Sequence, residues 1–385
     1  MLGVLAGVVA LAALVLVILL VTRSGGRRAA PRPAVRPSNR ATPERAPDSA
    51  APQPSPTADA DGATPPSPAD DFPAALAGFR LIEESDLTRK RQDELTGWLR
   101  RLAKPPRSMR GMLSPAVMNG EDVKELVRFI MREPMIAAKV LAMVNSPFYG
   151  LQSPIASVGQ AVTFLGLLTV RNVALQMLTK ESFKTDDPAL QKVCDGLWDA
   201  GFIASELCYR LAPTLGMPDQ GALSTQTLLS FLGDFAVLTL FPAQSRTVNW
   251  QTGALARAKA EQRELGIDSG IVGSLLMREW KLPPAIVDGV RDVVRVLVTP
   301  PEEFTPQRAA QLALCYACAR LGERIAFGEL RDVSEFDFRN EAAPEYYFLN
   351  RYFDLRPLSR FHDQLHSAGI RLVVEKFLAT VPGPD

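Results

Sequence analysis

An all-α body, preceded by one transmembrane helix and a disordered linker, is the architecture that the sequence predicts. Three observations carry it. Residues 1–22 hold no charge, prolines crowd the stretch that follows, and from about Asp86 apolar residues recur at the 3.6-residue helical period. No pair of alternating strands joined by Asn-Gly or Asp-Gly occurs in the 385 residues.

The first element is the apolar run. Twenty-two residues at 1.5 Å rise reach about 33 Å, enough for a hydrocarbon core of about 30 Å. A cleaved signal peptide needs a basic start and a shorter apolar core, and no Lys or Arg precedes this run. Arg23, Arg27, Arg28, Arg32, Arg36, Arg40 and Arg45 come directly after it. Basic residues beside a span stay in the cytoplasm. The expectation is a single-pass anchor in the inner membrane, with its N-terminus outside and the body in the cytoplasm. Arg27, Arg28 and Arg32 either rest on anionic headgroups or serve only as the topology signal. Residues 23–79 are expected to be a disordered linker. Twelve prolines from Pro31 to Pro73 are interleaved with Ala, Ser, Thr and Asp, with almost nothing to build a core.

The body's helices follow in order. Leu87, Leu95, Trp98, Leu99 and Leu102 share one face, and Pro105-Pro106 ends that helix. Val123, Leu126, Val127, Ile130 and Met131 make the next stripe, and Pro134 suits the first turn of a helix over 135–144. Ser157 with Gln160 reads as a capping box. Asp187-Pro188 opens a long helix through Leu211, and helices over 223–241, 252–265, 269–280, 284–298 and 306–326 follow. One last helix is expected over 358–378. Before it, Tyr346, Tyr347, Phe348, Tyr352 and Phe353 either pack on the body or form an exposed docking patch.

Composition excludes several functions. Lys+Arg 43 against Asp+Glu 42 leaves a net charge of +1, so no nucleic-acid partner is expected. Four cysteines make no disulfide scaffold, and Cys315 and Cys318 lie mid-helix, where thiolates are not activated. Two histidines cannot build a His-rich metal centre. His362-Asp363-Gln364-Leu365-His366 resembles a zinc-protease helix, but Asp is a methylene shorter than the Glu that motif uses as base, and no third His follows. Surface histidines are the expectation there. No cofactor and no metal are expected.

The run from Glu133-Pro134-Met135 through Asn145-Ser146-Pro147-Phe148-Tyr149-Gly150 resembles the HDOD domain, a helical output module of bacterial signalling proteins. The likeness continues through Ile155, Ser157, Ala161-Val162 and Leu165-Gly166, through Gly233-Asp234, and through Gly273 to Trp280 and Leu282-Pro283. It implies an HDOD-like helical bundle over residues 86–300, with 301–385 a helical extension packing on it. Asn145, Ser146, Gly150, Ser157, Gly166, Gly233, Asp234, Trp280 and Pro283 are the motif residues, and each also has a plain packing or capping role.

HDOD domains are similar to HD phosphohydrolases, whose metal is held by histidines around a His-Asp pair. Here that pair reads Gly233-Asp234, and no histidine precedes Phe361. The resemblance therefore implies a non-enzymatic module that binds another, unidentified signalling protein. A sensor of a small ligand or nucleotide in the vacated pocket is the alternative, and a metal-dependent phosphohydrolase is disfavoured. Asp234, inside an apolar run, is expected to pair with an Arg or Ser of a neighbouring helix or to line a residual pocket.

Overall fold

Many helices start where the sequence supplies a capping side chain or a proline. The computed structural model describes residues 72–379 apart from residues 103, 105, 106 and 181. The expected anchor, the linker up to Asp71 and the Arg27, Arg28 and Arg32 group lie outside the described residues. Helix α1 (Arg89–Leu99) opens under Thr88, whose hydroxyl accepts the Arg91 N–H. Two short helices, α2 (Arg107–Met112) and α3 (Pro115–Met118), lead to α4 (Val123–Met131), where Asp122 accepts the Glu125 N–H at 2.7 Å. Then come α5 (Pro134–Val144), α6 (Val158–Leu165) and α7 (Leu167–Lys180).

Two long helices form the centre. Asp187 caps α8 (Pro188–Thr214), and Thr305 caps α15 (Pro306–Ala326). They pack side by side because Gly322 has no side chain: a Cβ there would lie 2.4 Å from the Ala200 carbonyl oxygen. Around them lie α9 (Gln220–Leu229), α10 (Leu232–Leu240), α11 (Pro242–Ser245), α12 (Ala254–Leu265), α13 (Ser269–Glu279) and α14 (Pro284–Arg295). Helices α16 (Tyr347–Tyr352), α17 (Phe361–Leu365) and α18 (Ala368–Leu378) close the chain. No strand occurs among the described residues. Fully buried Arg171 on α7 donates to the Met118 and Gly221 carbonyls at 3.2 and 2.8 Å, tying α3, α7 and α9 together.

Several expectations need correction. The linker ends before residue 79: Phe72 packs edge-on against Tyr347 at 5.2 Å, and Leu76 is buried. The helix expected over 223–241 is two. Ser230 Oγ donates to the Thr227 carbonyl as α9 ends, and buried Phe231 turns the chain into α10. The stretch Gln220–Leu240 is long and apolar enough to cross a membrane, yet 78% of its apolar window is buried in the body, as core. The last helix is likewise two, broken at His366-Ser367.

The tail aromatics make no exposed patch. Tyr346, Phe348, Tyr352 and Phe353 are buried, with the Phe338 ring 4.9 Å from Tyr346 and 5.8 Å from Phe353. Nor do the histidines lie free on the surface. His362 Nε2 accepts the Phe338 N–H at 3.2 Å and His366 Nε2 bonds the Phe336 carbonyl at 2.8 Å, pinning that loop to α17. Burial lowers the His362 pKa, which favours the neutral, accepting ring. All four cysteines are free and buried.

Candidate functional site

The motif residues do not converge on one place. Asn145, at the C-terminus of α5, donates through its amide to the Leu141 and Ile155 carbonyls and accepts the Ile155 N–H at 2.7 Å. It clamps the loop that contains Ser146 and Gly150, the latter at φ +59. Ser157 accepts the Gln160 N–H at 3.1 Å, while Gln160 Oε1 accepts from Ala156, one residue before the position a capping box uses. Gly166, at φ +86, ends α6. Trp280 is buried 5.8 Å from the Phe183 ring, and Pro283 precedes the first turn of α14. These are packing and capping roles.

Asp234 is different. It lies in the first turn of α10, buried, facing α12, α13 and α15. Arg257 Nε on α12 is 3.5 Å from Asp234 Oδ1, an ion pair too poorly aligned for a hydrogen bond. The same guanidinium donates to Glu323 Oε1 at 2.7 Å, and Arg320 donates to Glu323 Oε2 at 2.6 Å. Glu261 accepts the Ser269 N–H at 2.7 Å. Both readings of Asp234 therefore hold: it pairs with an arginine, and it lines a pocket of about 50 Å³.

Burial sets the electrostatics. It pushes Asp234 above its ordinary range against the opposing pull of Arg257, and it pushes Glu261 up to about 8. Folded protein thus holds a proton at Glu261 that the unfolded chain, with an ordinary value of 4.5, has released. Stability falls as pH rises through the window from about 4.5 to about 8. Urea midpoints at about pH 5.5 should exceed those at about pH 8.5, and Glu261→Gln should shrink the difference. A variant with the same pH slope as the parent would dismiss Glu261 as the proton's seat.

The resemblance to HD phosphohydrolases implies a metal at this position, and the residues here do not fit one. A Cβ on Gly233 would lie 1.8 Å from the Ser269 carbonyl oxygen, so no imidazole can stand beside Asp234. Arg257 and Arg320 already pair with Asp234 and Glu323. Among the described residues no group of three His, Cys, Asp or Glu is placed to hold a metal ion. A larger cavity of about 490 Å³ lies beyond Arg320, between α12 and the C-terminal extension, lined by Trp250, Lys259, Arg324 and Tyr346.

Sequence reasoning missed Arg257, Glu261, Arg320 and Glu323. Their signal was present: Arg320 and Glu323 are charges three apart in a helix otherwise dominated by Ala, Leu and Cys, and Arg257 and Glu261 are four apart on α12.

Comparison with known proteins adds the following. Residues 102–295 match the HDOD domain profile. A solved HDOD domain protein of unknown function from Geobacter sulfurreducens is 18% identical, with 74% of this chain and 98% of that chain covered and a TM-score of 0.48. A protein provisionally named a phosphohydrolase, from Shewanella amazonensis, is 21% identical, with 74% and 97% covered and a TM-score of 0.47. One provisionally named a signal transduction protein, from Marinobacter aquaeolei, is 20% identical, with 78% and 64% covered and a TM-score of 0.44. No curated protein matches.

Proposed function

Because this chain belongs to the HDOD family, we propose that it is a non-enzymatic module of bacterial signal transduction, acting by binding another protein. The observation that carries this reading is the contact of Gly233 with the Ser269 backbone, which leaves no room for a histidine beside Asp234. Arg257 supplies the positive charge there instead, as a fixed part of the chain. The uncharged run over residues 1–22 and the arginines after it hold the module at the inner membrane, body in the cytoplasm. The linker, which needs length rather than a particular sequence, lets the body search for its partner near the membrane.

Full-length protein in detergent, supplied with manganese, iron or magnesium, should turn over neither cyclic dinucleotides nor phosphomonoesters and should carry metal well below stoichiometry. Stoichiometric metal with turnover abolished by Asp234→Ala would overturn the reading. A second reading, a small-ligand sensor, moves from the vacated pocket to the larger cavity. About 50 Å³ holds a water or two, whereas about 490 Å³ is the size of small-molecule sites. A ligand seated there would raise the Tm in proportion to the logarithm of its concentration above Kd.

A further inference from the structure

The stripe expected on α4 is wider than the face the helix buries. Leu126 and Ile130 are buried, but Val123 is 43% and Met131 57% exposed, and Met135, just beyond at the start of α5, is 69% exposed. At about 100° per residue, exposed Val123 and Met131 lie roughly 80° apart at the edge of the buried face, with half-buried Val127 between them packed on the core. Lys124, Arg128 and Arg132 occupy the next 80° or so, all exposed. None of these three cations has an ion-pair partner among the described residues. The acids nearby are mostly engaged or turned aside. Asp122 caps α4, Glu133 accepts from Ser108 at 3.0 Å, and half-buried Glu125 borders the arc, leaving Glu121 exposed at the helix start.

Exposed Val123, Met131 and Met135 beside an unpaired basic stripe have the chemistry of an interfacial surface. We infer that the outward face of α4 with the start of α5 binds an anionic lipid bilayer, Met131 and Met135 entering the headgroup boundary and Lys124, Arg128 and Arg132 meeting lipid phosphates. Charge selects this occupant. An apolar protein partner would leave three cations facing its surface unpaired, whereas an anionic leaflet neutralises all three at once and accepts the methionines between its chains. These residues are not the arginines at 27–32, and they need no anchor to work, although an anchor would hold them within reach.

The four native cysteines are buried, so Met135→Cys can carry a single environment-sensitive fluorophore in the full chain. Mixed with vesicles containing about 30% phosphatidylglycerol and some brominated lipid, the probe should be quenched and shifted to the blue. On pure phosphatidylcholine it should stay wet, and about 0.5 M salt should reverse the effect on anionic vesicles. Reversing Lys124, Arg128 and Arg132 to glutamate, all at exposed positions, should leave the melting curve in place. It should weaken partition by about a hundredfold or more, from about tenfold per 1.4 kcal/mol and about 1 kcal/mol per charge. A wet probe on anionic vesicles overturns the proposal and favours a protein partner. Equal quenching on neutral vesicles, in the reversed variant, or at a Leu372→Cys probe on α18 overturns it as well. Carbonate extraction run in parallel tests the anchor separately, so failure of one reading is not failure of the other.

Discussion

Gly233→Ala should destabilise the body by about 3 kcal/mol or more, because the added methyl meets backbone and not a movable side chain. Its Cβ would lie 1.8 Å from the Ser269 carbonyl oxygen and 3.1 Å from the Gly273 nitrogen. Helices α10 and α13 cross at this pair of glycines, so relief requires moving one helix bodily. At roughly 2–4 °C per kcal/mol, the Tm should fall by about 6–12 °C. Gly159→Ala is the control. That glycine lies inside α6, where an added methyl would meet nothing closer than 4.0 Å, so alanine there should stabilise by about 0.5–1 kcal/mol. Gly233→His, which writes the hydrolase pair back into the sequence, should fail to fold and gain no metal. A stable, metal-loaded Gly233→His protein would show that the site is vacant only by substitution and not by packing.

Arg257→Ala should cost about 3–5 kcal/mol, since it leaves buried Asp234 without its ion-pair partner and Glu323 with Arg320 alone. Arg257 stands 2.7 Å from Glu323 and 3.5 Å from Asp234, and both carboxylates are buried. Much of the loss should return when Arg257→Met is combined with Asp234→Asn, because the charge that needed Arg257 is then gone while Glu323 keeps Arg320. Urea unfolding at about pH 7 measures both. A loss below about 1 kcal/mol in the single variant would mean that water reaches the pair and screens it. The cluster joins α10, α12 and α15, so its loss would loosen the contact between the family domain and the extension that follows it.

How much of this was legible beforehand depends on the range of the signal. The helix expected over 306–326 has the bounds of α15, Pro306–Ala326. The Pro134 start and the Ser157 cap were local, and both are present. The break at Ser230-Phe231 was missed because Leu228, Leu229, Phe231 and Leu232 flank it and a helix could have continued. What ends it is a hydroxyl turned back on its own helix and a ring pulled into the core. The width of the α4 stripe was misjudged for a similar reason: periodicity shows which residues share a side, not how much of that side a neighbour covers.

Local patterns were therefore enough for the helical class, most helix starts, the uncharged first segment and the lack of histidine beside Asp234. Each of these depends on residues within a few positions of one another. Packing alone decided that Gly233 touches the Ser269 backbone, that Arg257 meets Glu323 66 residues on, and that both histidines pin a loop. Those contacts join segments far apart in the chain, and no property of one segment states which distant surface will press against it. The physical reason is that a helix's period follows from its own backbone, whereas its partner is chosen by shape and charge summed over the whole core.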